Sequence, residues 1–278
     1  LLKKWKIFLQ DFDMNTQNLA KNVRIDTINM VNQGNSSHIG SVLSIVDILA
    51  VLYGEIMNYD VKNPTLQLRD RFILSKGHAG AGVYAVLAEV GFFDKTELLK
   101  HCQNGSKYSG HVSHKDVPGV ELSTGALGHG LPVGVGMALR AKLDDLSYKV
   151  FVVLGDGELD EGSNWEAFMF SAHKKLNNLC VIIDRNNLQS MDTTENTLAL
   201  EPLAEKIQAF GWKVQEVDGH DHIALNKAFN ASTSTPLCII ANTIKGKGVS
   251  YMENSIEWHY KTPKDNQFKQ AISELEAL

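Results

Sequence analysis

Five short runs rich in apolar and β-branched residues, at Arg71–Ser75, Lys149–Gly155, Leu179–Asp184, Trp212–Gly219 and Pro236–Ile244, are each closed by Gly, Asp, Asn or a nearby polar residue. Their near-continuous hydrophobicity is that of strands buried on both faces, which is the situation in a parallel sheet. Between them lie segments of helical period. Glu161–Leu176 sets Trp165, Phe168, Met169, Ala172 and Leu176 on one stripe, Gly130–Leu143 is rich in small residues that allow close packing, and Glu201–Phe210 and His222–Ala231 connect the later strands. Ahead of the first strand, Thr16–Gln33 and Val42–Met57 read as helices, the second apolar almost all round and therefore interior. Strand–helix alternation of this kind predicts a doubly wound α/β fold, a mainly parallel sheet with helices on both faces.

The 278 residues suffice for one such domain, and no repeat, low-complexity tract or linker divides them. The expected divisions are a leader or appended remnant at 1–15, the α/β domain at 16–265 and a short amphipathic helical tail at 266–278, read as a natural end. A net charge of −5 with dispersed basic residues gives no footprint for nucleic acid or a membrane surface. No segment reaches membrane-span length. Cys102, Cys180 and Cys238 are widely spaced and lack metal-ligand or disulfide patterning, which suits a reducing compartment; a cytoplasmic location is expected.

Ligands of open parallel sheets bind beyond the carboxyl ends of the strands. The second run leads into Gly155-Asp156-Gly157-Glu158, with a helical pattern soon after. Glycines at such a turn let backbone amides approach an anion. A carboxylate between them would repel a phosphate unless a divalent cation lay between the two. The third run ends in Asp184-Arg185-Asn186-Asn187-Leu188. Asp156, the Asn186 side-chain carbonyl and the Leu188 backbone carbonyl make three hard oxygen donors, a set suited to Mg2+ completed by two phosphate oxygens and water. Taken alone, Gly-Asp-Gly is equally a tight turn with an Asp helix cap; the interval from Asp156 to Asn186 and the Asn-Asn pair closing the next strand make it specific.

With these features the chain resembles the thiamine-diphosphate enzymes, and Glu158-Leu159-Asp160-Glu161-Gly162-Ser163-Asn164-Trp165-Glu166-Ala167 narrows the resemblance to the transketolases. Similar stretches are Asn35–Ser41, Ser75–Gly80, Gly110-His111, Pro118–Gly128, Thr243–Gly248 and Glu257–His259, so the likeness runs from about Thr16 to Pro263. It implies a domain that binds the diphosphate half of thiamine diphosphate with Mg2+ (Ca2+ or Mn2+ as substitutes). Asp156, Asn186 and the Leu188 carbonyl would hold the metal. Ser41, His78, Gly157, Glu158, Lys245 and His259 would surround the diphosphate and thiazolium, although Glu158 is also readable as a helix-start acid. Gly125, Ala126 and Leu127 would present backbone to the cofactor rings. His38, His111 and His259 would line the substrate entrance, with His38 and His259 moving protons, and Glu161 would join a carboxylate network at a domain interface. The remaining histidines, His101, His114, His129, His173, His220 and His222, are read as surface or core residues.

The activity implied is transfer of a two-carbon ketol unit from a ketose or its phosphate to an aldose or its phosphate. The resemblance further implies a partner chain carrying the pyrimidine-binding domain, in an assembly with two copies of each chain. Ile39 after His38, where the family usually has Pro, the run Val112-Ser113-His114 after His111, and His129 where Gln is common are departures on the substrate side, and they leave the sugar open. The alternatives are the α-subunit of a 2-oxo-acid dehydrogenase, a fragment like 1-deoxyxylulose-phosphate synthase, and a non-catalytic interaction subunit.

Overall fold

In the computed structural model, which describes residues 15–278, five parallel strands form one sheet in the order β1-β2-β3-β5-β4. They are β1 (Arg71–Leu74), β2 (Val150–Gly155), β3 (Leu179–Arg185), β4 (Lys213–Asp218) and β5 (Leu237–Asn242). Side chains along a strand alternate between faces, and here both faces are apolar. Phe72, Phe151, Val153, Ile182 and Ile239 pack into one core, while Ile73, Val152, Leu154, Val181, Ile183 and Ile240 pack into a second core on the opposite face. This two-sided burial accounts for the hydrophobic runs of β1, β2, β3 and β5; β4, at the edge of the sheet, departs from the expectation, with no fully buried residue and Lys213, Gln215, Glu216 and Asp218 along it. The expected leader lies, apart from Asn15, outside the described residues.

The first core is roofed by α1 (Thr16–Gly34), α2 (Ile39–Leu43), α3 (Val46–Val51), α4 (Gly80–Glu89), α9 (His222–Phe229) and α10 (Asp265–Glu276). The second is roofed by α5 (Gly130–Leu143), α6 (Gly162–His173) and α8 (Leu203–Ala209); α7 (Thr194–Thr197) is a single turn after β3. Asn15 caps α1 by accepting from the amides of Gln17 and Asn18, and Asn35 ends it in a left-handed conformation. α10, part of the expected tail, buries Ala271 and Leu275 in the same core as α1.

Three further features differ from what the sequence leads one to expect. The helix expected over Val42–Met57 starts earlier, at Ile39, breaks at Ser44-Ile45, and ends in a π-helical turn, Leu52–Ile56. At the break the Ser44 hydroxyl donates to Asp184 Oδ2 (2.7 Å), an anchor to the sheet that competes with continuous helix. Secondly, α4 has no counterpart in the sequence reading: Gly80–Ala88 is buried on every side, so it has no polar face to reveal a helical period. Thirdly, Met169 does not share the buried face of Phe168, being 58% exposed beside Phe170 at 40%.

Candidate active site

β2 and β3 are neighbours, and the last residue of β2, Gly155, lies opposite Asp184. Asp156 and Asn186 therefore emerge side by side at the carboxyl end of the sheet. Asp156 accepts from the amides of Gly157 (2.8 Å) and Asn187 (2.6 Å), with the Arg185 guanidinium 3.4 Å away. Asn186 donates through Nδ2 to Asp184 Oδ2 (2.9 Å), which commits the amide nitrogen inward, and its Oδ1 accepts from the Leu188 amide (3.1 Å). The left-handed Asn187 (φ 64°) makes the turn that brings the Leu188 carbonyl back, where it accepts from Lys245 Nζ (3.2 Å).

Beneath these atoms lies a buried polar cluster. Asp184 accepts from Lys76, Thr243, Ser44 and Asn186, and Lys76 also donates to the Ser41 carbonyl (3.0 Å). Burial alone would raise the Asp184 pKa, but Lys76 and the hydroxyl donors hold it below the usual carboxylate range. Asp156 goes the other way: burial and the neighbouring Asp184 push it up to about 6. Burial and the adjacent Lys76 charge bring Lys245 down to about 8.

Glu158 sits against the same turn. One carboxylate oxygen accepts from Ser75 and from the Gly128 amide (2.9 Å), and the other accepts from the Gly155 amide (3.2 Å). Both oxygens are thus used in tying three loops together. Two glycines are required by close approach: a Cβ on Gly157 would lie 2.7 Å from Gln189 Cγ, and one on Gly128 would lie 2.6 Å from Glu161 Cβ. Gly128 also has φ 82°, which disfavours any side chain.

Four histidines surround the mouth. His38, in a left-handed conformation at the start of α2, has its ring centroid 5.2 Å from His78, 5.5 Å from His111 and 5.0 Å from His259. Its amide donates to the His259 carbonyl (2.9 Å) and its Nδ1 meets Ser37 Oγ (2.9 Å). His259 Nδ1 faces Lys245 Nζ (3.2 Å) and Ser41 Oγ (3.5 Å). Burial, followed by the nearby positive groups, lowers His38 to about 4 and His259 to about 3, and takes His78 well below the ordinary imidazole value. His38, His78 and His259 are therefore neutral at pH 7 and able to accept as well as donate protons.

A cavity of ≈ 250 Å³ opens between the strand tips and the histidines. Of the expected site residues, His38, Ser41, His78, His111, Gly125, Leu127, Asp156, Gly157, Glu158, Asn186, Leu188, Lys245 and His259 line it. Ala126 and Glu161 do not; both are exposed, Glu161 at the start of α6. Residues not singled out from the sequence also belong here: Lys76, Gln189 and Ser190 line the cavity, and Asp184 and Arg185 brace it from below. Arg185 donates to Thr194 Oγ1 (2.7 Å), Glu195 (3.0 Å) and Glu201 (2.8 Å), holding the segment after β3 against the site. The signal for Lys76 is a lysine two residues after the buried run Phe72-Ile73-Leu74, where a cation needs a buried partner. Of the histidines read as structural, His114, His129 and His173 are exposed, His101 is buried, and His220 and His222 bond to Asp47.

A parallel sheet that presents an aspartate, an asparagine, buried lysines and a histidine ring at its carboxyl end forms a polar cleft rich in ionisable groups. Residues 15–276 match the family model described as "Transketolase, thiamine diphosphate binding domain", and the chain belongs to that family. It is 42% identical to one of the apulose-4-phosphate transketolase subunits of Phocaeicola vulgatus, covering 89% of this chain and 89% of that one. With a 6-deoxy-6-sulfo-D-fructose transketolase subunit of Clostridium sp. it shares 38% identity over 96% of this chain and 98% of the relative. The crystal structure of transketolase from Campylobacter jejuni superposes with a TM-score of 0.88 at 32% identity, covering 94% of this chain but 42% of that one. The chain thus spans about two-fifths of that transketolase, whereas it matches the subunit proteins nearly end to end.

Proposed function

We propose that this chain grips the diphosphate end of thiamine diphosphate through Mg2+ and forms one half of the active site of a two-chain transketolase. The observation that carries this reading is the convergence of Asp156, Asn186 and Leu188 on one cavity with Lys245 and the four histidines. The donor set fits the group. One carboxylate, one amide oxygen and one backbone carbonyl suit a hard cation that a diphosphate already helps to neutralise. Mn2+ or Ca2+ would substitute.

When bound, thiamine diphosphate supplies the carbon nucleophile and electron sink for breaking and making a carbon–carbon bond next to a carbonyl. The chain's own contribution is positioning and proton handling. Lys245, Ser41, His78 and Gly157 surround the diphosphate and thiazolium side, and Gly125, Ala126 and Leu127 offer backbone to the rings. His38, His111 and His259 bond the sugar oxygens, and His38 and His259, kept neutral by burial and the nearby positive groups, each offer one N–H donor and one acceptor nitrogen for proton relay. Glu158 acts from behind as a brace, since both of its oxygens are already engaged.

Glu161, exposed at the start of α6, is left to meet a second polypeptide. The relatives' names, which call them subunits, support a partner chain; the reading gives that partner the pyrimidine-binding domain and the assembly two copies of each chain. The reaction moves a two-carbon ketol unit from a ketose to an aldose, and the relatives' names favour substrates bearing a terminal anionic group. A cytoplasmic location suits Cys102, Cys180 and Cys238, all free thiols; no helix among the described residues is long and apolar enough to cross a membrane. A sugar-transfer assay tests the reading: the chain with thiamine diphosphate and Mg2+ stays inactive alone and turns over once the pyrimidine-domain chain is added. Robust turnover by the chain alone overturns it.

A further inference from the structure

Lys245 reaches the cavity from the segment after β5, and the backbone of that segment is held at successive points. The Thr243 amide donates to the Arg185 carbonyl (3.1 Å), the Gly246 amide donates to the Gly40 carbonyl (2.9 Å), and the Lys245 carbonyl accepts from the Asn254 amide (2.9 Å). The Ile244 amide, one residue before Lys245, has a side-chain partner instead: it donates to His220 Nε2 (2.8 Å). An imidazole nitrogen that accepts from an amide carries no proton, so the His220 proton resides on Nδ1. That nitrogen lies 2.7 Å from Asp47 Oδ2.

Asp47 is itself immobilised. On α3, 5% exposed, it is gripped by both terminal nitrogens of the Arg24 guanidinium, and its Oδ1 also meets His222 Nε2 (3.0 Å), whose other nitrogen faces Thr16 Oγ1 (2.8 Å). Burial would raise this carboxyl's pKa, but the bonds from His220, His222 and Arg24 outweigh it and keep the group ionised. None of these groups lines the cavity. The result is a chain of contacts from α1 and α3, through the loop after β4, to the backbone that carries Lys245.

We infer that Asp47 and His220 form a clamp that sets the tautomer of His220 and, through the Ile244 amide, the position of Lys245, which makes His220 a positioning residue for the anion-binding end of the site. The ligand side of this inference rests on the proposed diphosphate role of Lys245; the clamp itself does not. Without the imidazole acceptor, the half-buried Ile244 amide is left unpaired, and the segment it belongs to loosens.

Hydrogen exchange on the full chain and calorimetry with Mg2+–thiamine diphosphate test the two parts separately. His220→Phe keeps the ring volume and removes the acceptor; His220→Gln keeps an acceptor within reach of the Ile244 amide. In the Phe variant, exchange of the 243–248 segment rises about tenfold or more while the central strands are unchanged, and cofactor affinity falls about tenfold, the cost of one unpaired donor away from water. The Gln variant restores both. An unchanged 243–248 segment, a rise spread equally over the sheet, or failure of Gln to rescue exchange overturns the clamp. Absence of cofactor binding by the wild-type chain counts against the proposed function instead, and the exchange data still decide the clamp.

Discussion

The floor and the rim of the cavity are built differently. On the floor, Lys76, Asp184, Asn186 and Glu158 are all at least 95% buried, and their charged or amide groups are bonded within the chain. At the rim, His111 is exposed, as are Ala126 and Glu161 just outside the cavity, and the helix that Glu161 begins leaves Met169 and Phe170 in solvent, at 58% and 40% exposure. The contrast shows that this chain fixes the polar atoms of the floor by itself, whereas the outer edge has surface free to meet something else; under the proposed function, the floor is where the cation and diphosphate would sit. Preorganised dipoles and charges need no rearrangement when a charged ligand arrives.

Mutations at the two levels separate these parts. The largest effect belongs to Asp156→Ala, which removes the only carboxylate of the proposed metal set and is expected to abolish Mg2+-dependent retention of thiamine diphosphate in calorimetry; retention at wild-type affinity would detach the floor from cofactor binding. Lys76→Met leaves Asp184 buried without its cation and is expected to cost about 3 kcal/mol of folding stability, read from the denaturant midpoint. Stability within about 0.5 kcal/mol of wild type would mean that the hydroxyl and amide donors suffice. At the rim, His111→Ala is expected to leave cofactor affinity and folding unchanged while lowering turnover or donor affinity in the two-chain enzyme by about 10–100-fold, the range for one lost hydrogen bond to substrate. Equal losses of cofactor and donor binding would erase the distinction between floor and rim.

A separate effect is with pH. His38 and His259 titrate near 4 and 3 when folded, below the ordinary 6.5, so the unfolded chain takes up protons first as pH falls. Their contribution to stability is therefore intact above about 6.5 and declines progressively from there, toward about pH 4 for His38 and about pH 3 for His259. The melting temperature should fall over that window, and the double variant His38→Gln, His259→Gln should flatten the slope; an unchanged slope would show that other groups dominate.

Most of the sheet and the strand tips were legible because two-sided burial writes itself as apolar runs, and because Asp156 follows one such run directly and Asn186 lies two residues beyond another. Helix α4 was illegible for the converse reason, since a helix buried all round has no polar face and therefore no period. The break between α2 and α3 depends on Ser44 meeting Asp184, residues 140 positions apart, which local propensity cannot express. The same holds for Lys76 beneath Asn186 and for His220 behind Lys245: both act through partners distant in sequence, so their places emerge only once the strands are laid side by side. Glu158 adjoins the glycine turn, which suggests contact with the cofactor, and only its bonds to Ser75, Gly128 and Gly155 identify it as a brace.

The most direct measurement is an anomalous-scattering crystal structure of the chain, with its partner, grown with Mn2+ and thiamine diphosphate. The ion should lie between the β2 and β3 tips, bound by an Asp156 carboxylate oxygen, Asn186 Oδ1 and the Leu188 carbonyl, with Lys245 turned to the diphosphate. A cofactor seated elsewhere, or an ion from which Asp156 and Asn186 face away, would contradict the account.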